Sequence, residues 1–218
     1  MAKAFLFDMN GTMINDMSYH EKAWYHLLNE DLGANLSWET VKSHMYGKND
    51  ELMVRIFGQD HFTQEQMDAL SMQKELKYQE AYKPHLKLID GLDDFLEKAK
   101  THNISMAIGT AAIPFNVNFV LDELSVGNYF TALVTADDVS ISKPNPEVFL
   151  KCADLLGVAY ENCVVFEDSP KGVDAALRAG MKAVVILSYH SKHEFDHLPN
   201  VLCFVDDYND PALNELFL

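Results

Sequence analysis

The sequence is short of basic residues. Lys and Arg total 17 against 33 Asp and Glu, giving a formal net charge of −16 at pH 7. A nucleic-acid backbone demands clustered cations, so a nucleic-acid partner is not expected. Small phosphorylated ligands stay open, because one local site can oppose the field of the whole molecule. Cysteine is sparse too. Cys152, Cys163 and Cys203 are an odd number, well spaced and without a CxxC pair. That argues against a disulfide or zinc framework and for buried free thiols. No apolar run approaches the roughly 20 residues of a membrane span, and MAKAFLFDMNG holds too short an apolar segment for a signal peptide. No membrane partner is expected, and cytoplasm is the expected compartment. The sequons at Asn35 and Asn103 carry no weight without secretion. Internal repeats and low-complexity segments are missing as well.

The 218 residues, 48% hydrophobic and 23% charged, suit a soluble globular protein of one domain with a modest insertion. Short β-rich apolar runs recur at Ala4–Phe7, Ser105–Ile108, Ala132–Thr135, Cys163–Phe166, Ala183–Leu187 and Val201–Val205. Helical periodicity separates most of them: Leu92, Phe95, Leu96 and Ala99 share a face, as do Phe149, Cys152, Ala153 and Leu156. Strands alternating with helices predict an α/β fold built on a mainly parallel sheet, with its site at the carboxyl ends of the strands.

Residues 15 to 83 contain no strand-like run. Ser18 with Glu21, and Thr63 with Gln66, have capping-box spacing, and Phe62 with Met67 could form a hydrophobic staple. A usual βα connection runs about 2–6 residues, so this stretch predicts an inserted helical subdomain. The expected division is a core of 1–14 and 88–218 and a helical cap of 15–87. Two connections make an opening and closing lid plausible.

Polar groups stand at four strand ends: Asp8-Met9-Asn10-Gly11-Thr12, Gly109-Thr110-Ala111-Ala112, Ser142-Lys143-Pro144-Asn145-Pro146 and Glu167-Asp168-Ser169-Pro170. In a parallel sheet these loops share one edge. A nucleophilic carboxylate (Asp8), a hydroxyl (Thr110), an ammonium (Lys143) and two further carboxylates (Glu167, Asp168) then meet in one crevice. Asp8 with Asp168, and Glu167 beside them, offers hard oxygens to Mg²⁺. Thr110 and Lys143 can bind and neutralise a phosphoryl group, which is most of what phosphoryl transfer asks of a protein.

The ordered set D-x-x-G-T, Thr after the second strand, K-P-x-P and E-D-S resembles the haloacid dehalogenase superfamily from Phe5 to about Leu187. The helical insertion after the first motif is similar to that of its β-phosphoglucomutase-like branch. The resemblance implies a three-layer Rossmann-like parallel sheet core with an inserted α-helical cap. It implies Asp8 as nucleophile and Thr110 and Lys143 as catalytic phosphate binders. It implies Mg²⁺ on Asp8, the backbone carbonyl of Asn10, Glu167 and Asp168, and N–H groups around Met9, Asn10 and Ala111 cradling the phosphate. The expected partner is a small phosphorylated metabolite, and the expected state a monomer.

Three expected groups are missing. Most phosphatases and mutases of the superfamily carry an aspartate where this chain has Asn10, and that acid protonates the leaving group and then activates water. A carboxamide hydrogen-bonds but exchanges no proton near neutral pH. Losing a general acid/base costs about 10²–10⁴ in rate, or roughly 3–5 kcal/mol of barrier. Three accounts stay open: a leaving group needing little protonation, such as an acyl phosphate; a phosphate-binding relative with lost catalysis; or an Asn introduced in place of an aspartate. Asn followed by Gly is also prone to deamidation. In the cap loop Tyr46-Gly47-Lys48-Asn49-Asp50, the basic residue of the sugar-phosphate mutases is replaced by Asp50, with Lys48 out of register. Ile113 stands where those mutases carry Lys. A hydrolase is therefore expected ahead of a β-phosphoglucomutase-type phosphotransferase. The cap candidates are His20, Trp24, Gly47 and Lys48, with core or surface roles as the plainer expectation for His20, His44 and Trp24. Asp137 and Asp138 are candidates to orient Lys143. Gly172 is expected to allow close packing of helix on loop.

Overall fold

The computed structural model describes residues 2–218. In chain order the elements are β1 (Ala4–Phe7), α1 (Met17–His26), α2 (Trp38–His44), α3 (Asn49–Phe57), α4 (Gln64–Tyr82), α5 (Leu92–Thr101), β2 (Ser105–Gly109), α6 (Pro114–Leu124), β3 (Ala132–Val134), α7 (Glu147–Leu156), β4 (Cys163–Glu167), α8 (Pro170–Arg178), β5 (Lys182–Ile186) and β6 (Val201–Val205). They form two compact units, Met1–Asn15 with Lys87–Leu218, and Asp16–Leu86.

The first unit is a six-stranded sheet of order β3-β2-β1-β4-β5-β6, parallel throughout. The order reverses at β1, which pairs with β2 on one side and β4 on the other. Crevices at such a switch point are where open α/β sheets bind ligands. The register aligns Phe7 with Ile108 of β2 and Phe166 of β4, so these three strands end within one residue of one another.

Alternation along β1 divides the core. Ala4 and Leu6 pack with Val148, Phe149, Cys152 and Ala153 of α7 and Val173, Ala175 and Ala176 of α8. Phe5 and Phe7 face the other way into an aromatic layer with Phe95 of α5, Phe166 and Phe217. A strand covered on both faces needs apolar residues at every position, and all four residues of AFLF are buried. Cys152 and Cys163 are buried free thiols and Cys203 is half-buried. Burial pushes Cys152 up to about 12 and Cys163 up to about 11, which keeps both as unreactive thiols.

The second unit is helical. Trp24, Leu27, Leu28, Val41, Leu52, Met53 and Met67 form its apolar core, with Phe62 packed against it. The capping box at α4 forms: Gln66 N–H donates to Thr63 Oγ1 at 3.3 Å, and Thr63 N–H donates to Gln66 Oε1 at 2.9 Å. The one expected at Ser18 does not. Helix α1 begins at Met17 with Asp16 before it and no side-chain cap. The Asp16 carboxylate is drawn inward instead, accepting from Tyr78 Oη at 2.5 Å. Among the described residues no helix is long and apolar enough to cross a membrane.

The Phe5 ring lies 5.2 Å from Phe166, 5.5 Å from Phe95 and 5.7 Å from Phe217 between centroids. Phe5→Ala is expected to cost about 3–5 kcal/mol. Urea unfolding of the whole chain measures it, and a loss below about 1 kcal/mol would contradict this layer as a packed core.

Candidate active site

Each strand of the switch region delivers its polar residue by the same route. An apolar run is buried to its last position, and the first residue past the ladder is polar and still enclosed. Asp8 follows β1, Thr110 follows β2 and Asp168 follows β4, whose last residue, still paired with Val185, is Glu167; Asp8, Thr110, Glu167 and Asp168 are exposed by 7%, 1%, 1% and 4%. Lys143 arrives from the loop before α7, at 9% exposure, through a cis Lys143–Pro144 peptide.

Lys143 is the hub. Its Nζ donates to Asp8 Oδ1 at 2.6 Å and to Glu167 Oε1 at 2.7 Å. Burial alone would lower its pKa, but Asp8 and Glu167 outweigh that and hold it above the ordinary lysine value. Glu167 is held at both ends. Its Oε2 accepts from Asp168 N–H at 3.0 Å and from the backbone N–H and hydroxyl of Ser169 at 2.9 Å each. Ser169 Oγ in turn accepts from Gly172 N–H at the start of α8. Thr110 Oγ1 accepts from Ala112 N–H at 3.1 Å, which orients the hydroxyl.

Asp8, Glu167 and Asp168 can each offer an oxygen to one point, all within 4.8 Å of one another. Three clustered carboxylates, two of them paired with one ammonium, leave two net negative charges when all are ionised. Hard oxygen donors with unbalanced negative charge suit a small divalent cation such as Mg²⁺. Two glycines make this crowding possible. A Cβ on Gly11 would lie 2.1 Å from Asp168 Oδ2, and one on Gly172 would lie 1.8 Å from Glu167 Oε1. Gly11 also has φ +75°, a left-handed conformation natural to glycine.

The structure thus brings together Asp8, Lys143, Glu167 and Asp168. Met9 is fully buried and Asn10 partly so, on the same loop; Ala111 is partly exposed beside Thr110. The Gly11 N–H donates to Ile14 O at 2.8 Å. Deamidation of Asn10 needs that nitrogen to attack the Asn10 side chain, and this bond holds it elsewhere.

Neither Asp137 nor Asp138 contacts Lys143 through the bonds seen here. Asp138 accepts from the Thr135 N–H and hydroxyl, both at 2.8 Å, closing a tight turn. In the helical unit, His20 Nδ1 lies 2.6 Å from Lys74 Nζ and Nε2 lies 3.2 Å from Asp16 Oδ2. Lys74 also donates to both oxygens of Glu75, at 2.9 and 3.0 Å, and burial lowers its pKa. Trp24 is buried in the apolar core of that unit. Gly47 lies in the turn before α3, and Lys48 precedes that helix with its N–H bound to Glu51. The His44 carbonyl accepts from Arg55, whose guanidinium stacks on Tyr46 at 3.8 Å.

Sequence patterns passed over Ser188 and Tyr208. Ser188 Oγ donates to Gly11 O at 2.5 Å, and Tyr208 Oη donates to Thr12 O at 3.1 Å. Ser188 could have been found by its place just beyond β5. Tyr208 belongs to no motif, and only the fold brings it beside residue 12.

Gly172→Ala tests the crowding at Glu167. Overpacking a site this tight typically costs about 1–3 kcal/mol, so the variant is expected to melt lower. Unchanged thermal denaturation would show that the Glu167 carboxylate is not fixed against Gly172.

The family model described as haloacid dehalogenase-like hydrolase matches residues 5–186. Over 190 residues, 82% of this chain and 93% of the relative, the sequence is 30% identical to the fructose-1-phosphate phosphatase YqaB of Escherichia coli. It is 31% identical to the putative phosphatase YhcW of Bacillus subtilis, covering 85% of this chain and 84% of that one. The crystal structure of β-phosphoglucomutase from Clostridium difficile superposes with a TM-score of 0.85 at 25% identity, covering 100% of this chain and 97% of the other. A parallel sheet with acids and a lysine converging at its switch point, and a sequence match spanning nearly all of that sheet, place the chain in one family: it belongs to the haloacid dehalogenase-like hydrolases.

Proposed function

We propose that the chain is a magnesium-dependent phosphohydrolase of small phosphorylated metabolites, working through an aspartyl-phosphate at Asp8, with turnover limited by Asn10. The observation that carries this is the cluster of three buried carboxylates at the strand ends, two of them paired with the buried Lys143 ammonium. Asp8, Asp168 and the backbone carbonyl of Asn10, with Glu167 beside them, would hold the metal. When bound, Mg²⁺ supplies the positive charge that offsets repulsion between these carboxylates and a phosphate dianion.

The chain's own residues supply the rest. An Asp8 carboxylate oxygen forms a bond to phosphorus while the bond from phosphorus to the leaving oxygen breaks. Lys143, kept protonated by Asp8 and Glu167, neutralises charge gathering on the phosphoryl oxygens. The Thr110 hydroxyl, oriented by Ala112 N–H, donates to one of those oxygens. Water then attacks the aspartyl-phosphate, releasing inorganic phosphate and restoring Asp8. The leaving oxygen must gain a proton and the attacking water must lose one. The Asn10 carboxamide does neither near neutral pH.

The relative named for fructose-1-phosphate supports a phosphorylated carbohydrate as substrate class. Asp50 in the cap loop and Ile113 after Thr110 favour hydrolysis over mutase-type transfer between sugar phosphates. Asn10 itself favours a second function, a phosphometabolite-binding protein with little turnover.

Assay with Mg²⁺ and a panel of sugar phosphates, acyl phosphates and pyrophosphate separates the two. Asn10→Asp is expected to raise kcat on phosphate esters by about 10²–10⁴. Asp8→Asn should abolish turnover in either background, and chelation with EDTA should do so reversibly. If neither the parent nor Asn10→Asp turns over any compound while both bind phosphate, the binding function replaces the hydrolase.

A further inference from the structure

The loop that follows the nucleophile is fixed from the far end of the chain. Gly11 has its N–H on Ile14 O at 2.8 Å and its carbonyl on the Ser188 hydroxyl at 2.5 Å. The next carbonyl, of Thr12, takes the Tyr208 hydroxyl at 3.1 Å. Met9 O accepts from Met13 N–H at 2.8 Å, so the turn is closed from within as well. Residues Gly11 to Ile14 are all buried. Carbonyls this enclosed need a donor, and here two consecutive ones accept from hydroxyls 177 and 196 residues away.

Both donors are rigidly mounted. Ser188 follows Leu187, whose N–H continues the sheet by donating to Val205 O at 2.9 Å. Tyr208 is buried with its ring among Phe7, Phe95 and Phe166, and its backbone N–H donates to Asp90 O at 3.0 Å. Asp90 directly follows Ile89, whose N–H is bonded to Met13 O at 2.8 Å. Tyr208 therefore ties the segment after Asp8 and the segment at Asp90 to the same point of the core.

What this loop carries gives the bonds a consequence. The Gly11 backbone lies against the Asp168 carboxylate, so closely that a Cβ there would sit 2.1 Å from Oδ2. The Asn10 carbonyl immediately precedes Gly11 N, and Asp8 is two residues further back. A displacement of Gly11 moves its contact with Asp168 and the Asn10 carbonyl together.

We infer that Ser188 and Tyr208 are positioning residues for the divalent cation, holding the backbone that aligns the Asn10 carbonyl with Asp8 and Asp168. This rests on the metal site of the proposed function but not on turnover. Hydrogen-bonding partners behind a metal's ligands are typically worth about 10–100-fold in metal affinity. Neither residue touches phosphate or the reacting atoms in this account.

The test uses Ser188→Ala, Tyr208→Phe and the double variant, with Ser188→Thr as the conservative control. Each removes or keeps a hydroxyl while leaving the ring or the strand end in place. Mg²⁺ affinity is measured by calorimetry on the otherwise unchanged chain, beside far-UV circular dichroism and thermal melting. The double variant should bind Mg²⁺ about tenfold or more weakly, with its secondary structure and cooperative melting retained, and Ser188→Thr should bind like the parent. Lower melting temperature with unchanged Mg²⁺ affinity would overturn the inference and leave the hydroxyls a purely structural role. A parent chain that binds no Mg²⁺ would overturn it together with the metal site. A parent that binds Mg²⁺ but hydrolyses no phosphate would overturn the hydrolase alone, and weakened Mg²⁺ binding in the variants would then still support the positioning role.

Discussion

The site depends on one buried ammonium shared by two carboxylates. Lys143 reaches Asp8 and Glu167 at 2.6 and 2.7 Å, and all three are nearly excluded from solvent. Charges removed from water are tolerated only when paired and hydrogen-bonded, and removing one partner of such a set strands the others. Here the pairing also orders the surroundings. Glu167 can reach Lys143 only because Gly172 leaves room for it, and its second oxygen gathers the amides of Asp168 and Ser169 at the start of α8. One ion triad thus joins the residue after β1 to the turn after β4. With Asp168 counted and all groups ionised, the acids exceed the ammonium by two, an imbalance suited to a divalent cation.

Against that ordered background residue 10 stands out. Its backbone lies on the tightly bonded turn between Asp8 and Gly11, so the geometry of the loop does not require an acid there. In the proposed hydrolase, an Asn at this position would keep the backbone carbonyl while supplying neither the proton donor nor the proton acceptor that the two halves of phosphoryl transfer need.

The sheet was legible because parallel strands buried on both faces write themselves as short apolar runs. AFLF, SMAIG, CVVFE and VLCFV all occupy strands, with ends shifted by no more than a residue or so from the expected ones. The convergence of Asp8, Lys143, Glu167 and Asp168 followed from placing polar residues at strand ends. What stayed hidden depended on tertiary contact. The start of α1 was missed because Asp16 is claimed by Tyr78, 62 residues away, and Ser18 gives no cap. Asp138, a sequence candidate to orient Lys143, closes its own turn on Thr135. Ser188 and Tyr208 act through carbonyls, and a carbonyl's need for a donor leaves no mark on the side-chain sequence.

The central claim is that Asp8 accepts a phosphoryl group which Asn10 cannot help to remove. Acetyl phosphate tests it most directly, because its leaving group needs little protonation. After mixing with Mg²⁺ and acid quenching, peptide mass mapping should find one phosphoryl group on the segment containing Asp8. It should persist in the parent, decay quickly in Asn10→Asp and be absent from Asp8→Asn. A parent chain that acquires no phosphoryl group, or acquires it on a segment without Asp8, would contradict the account.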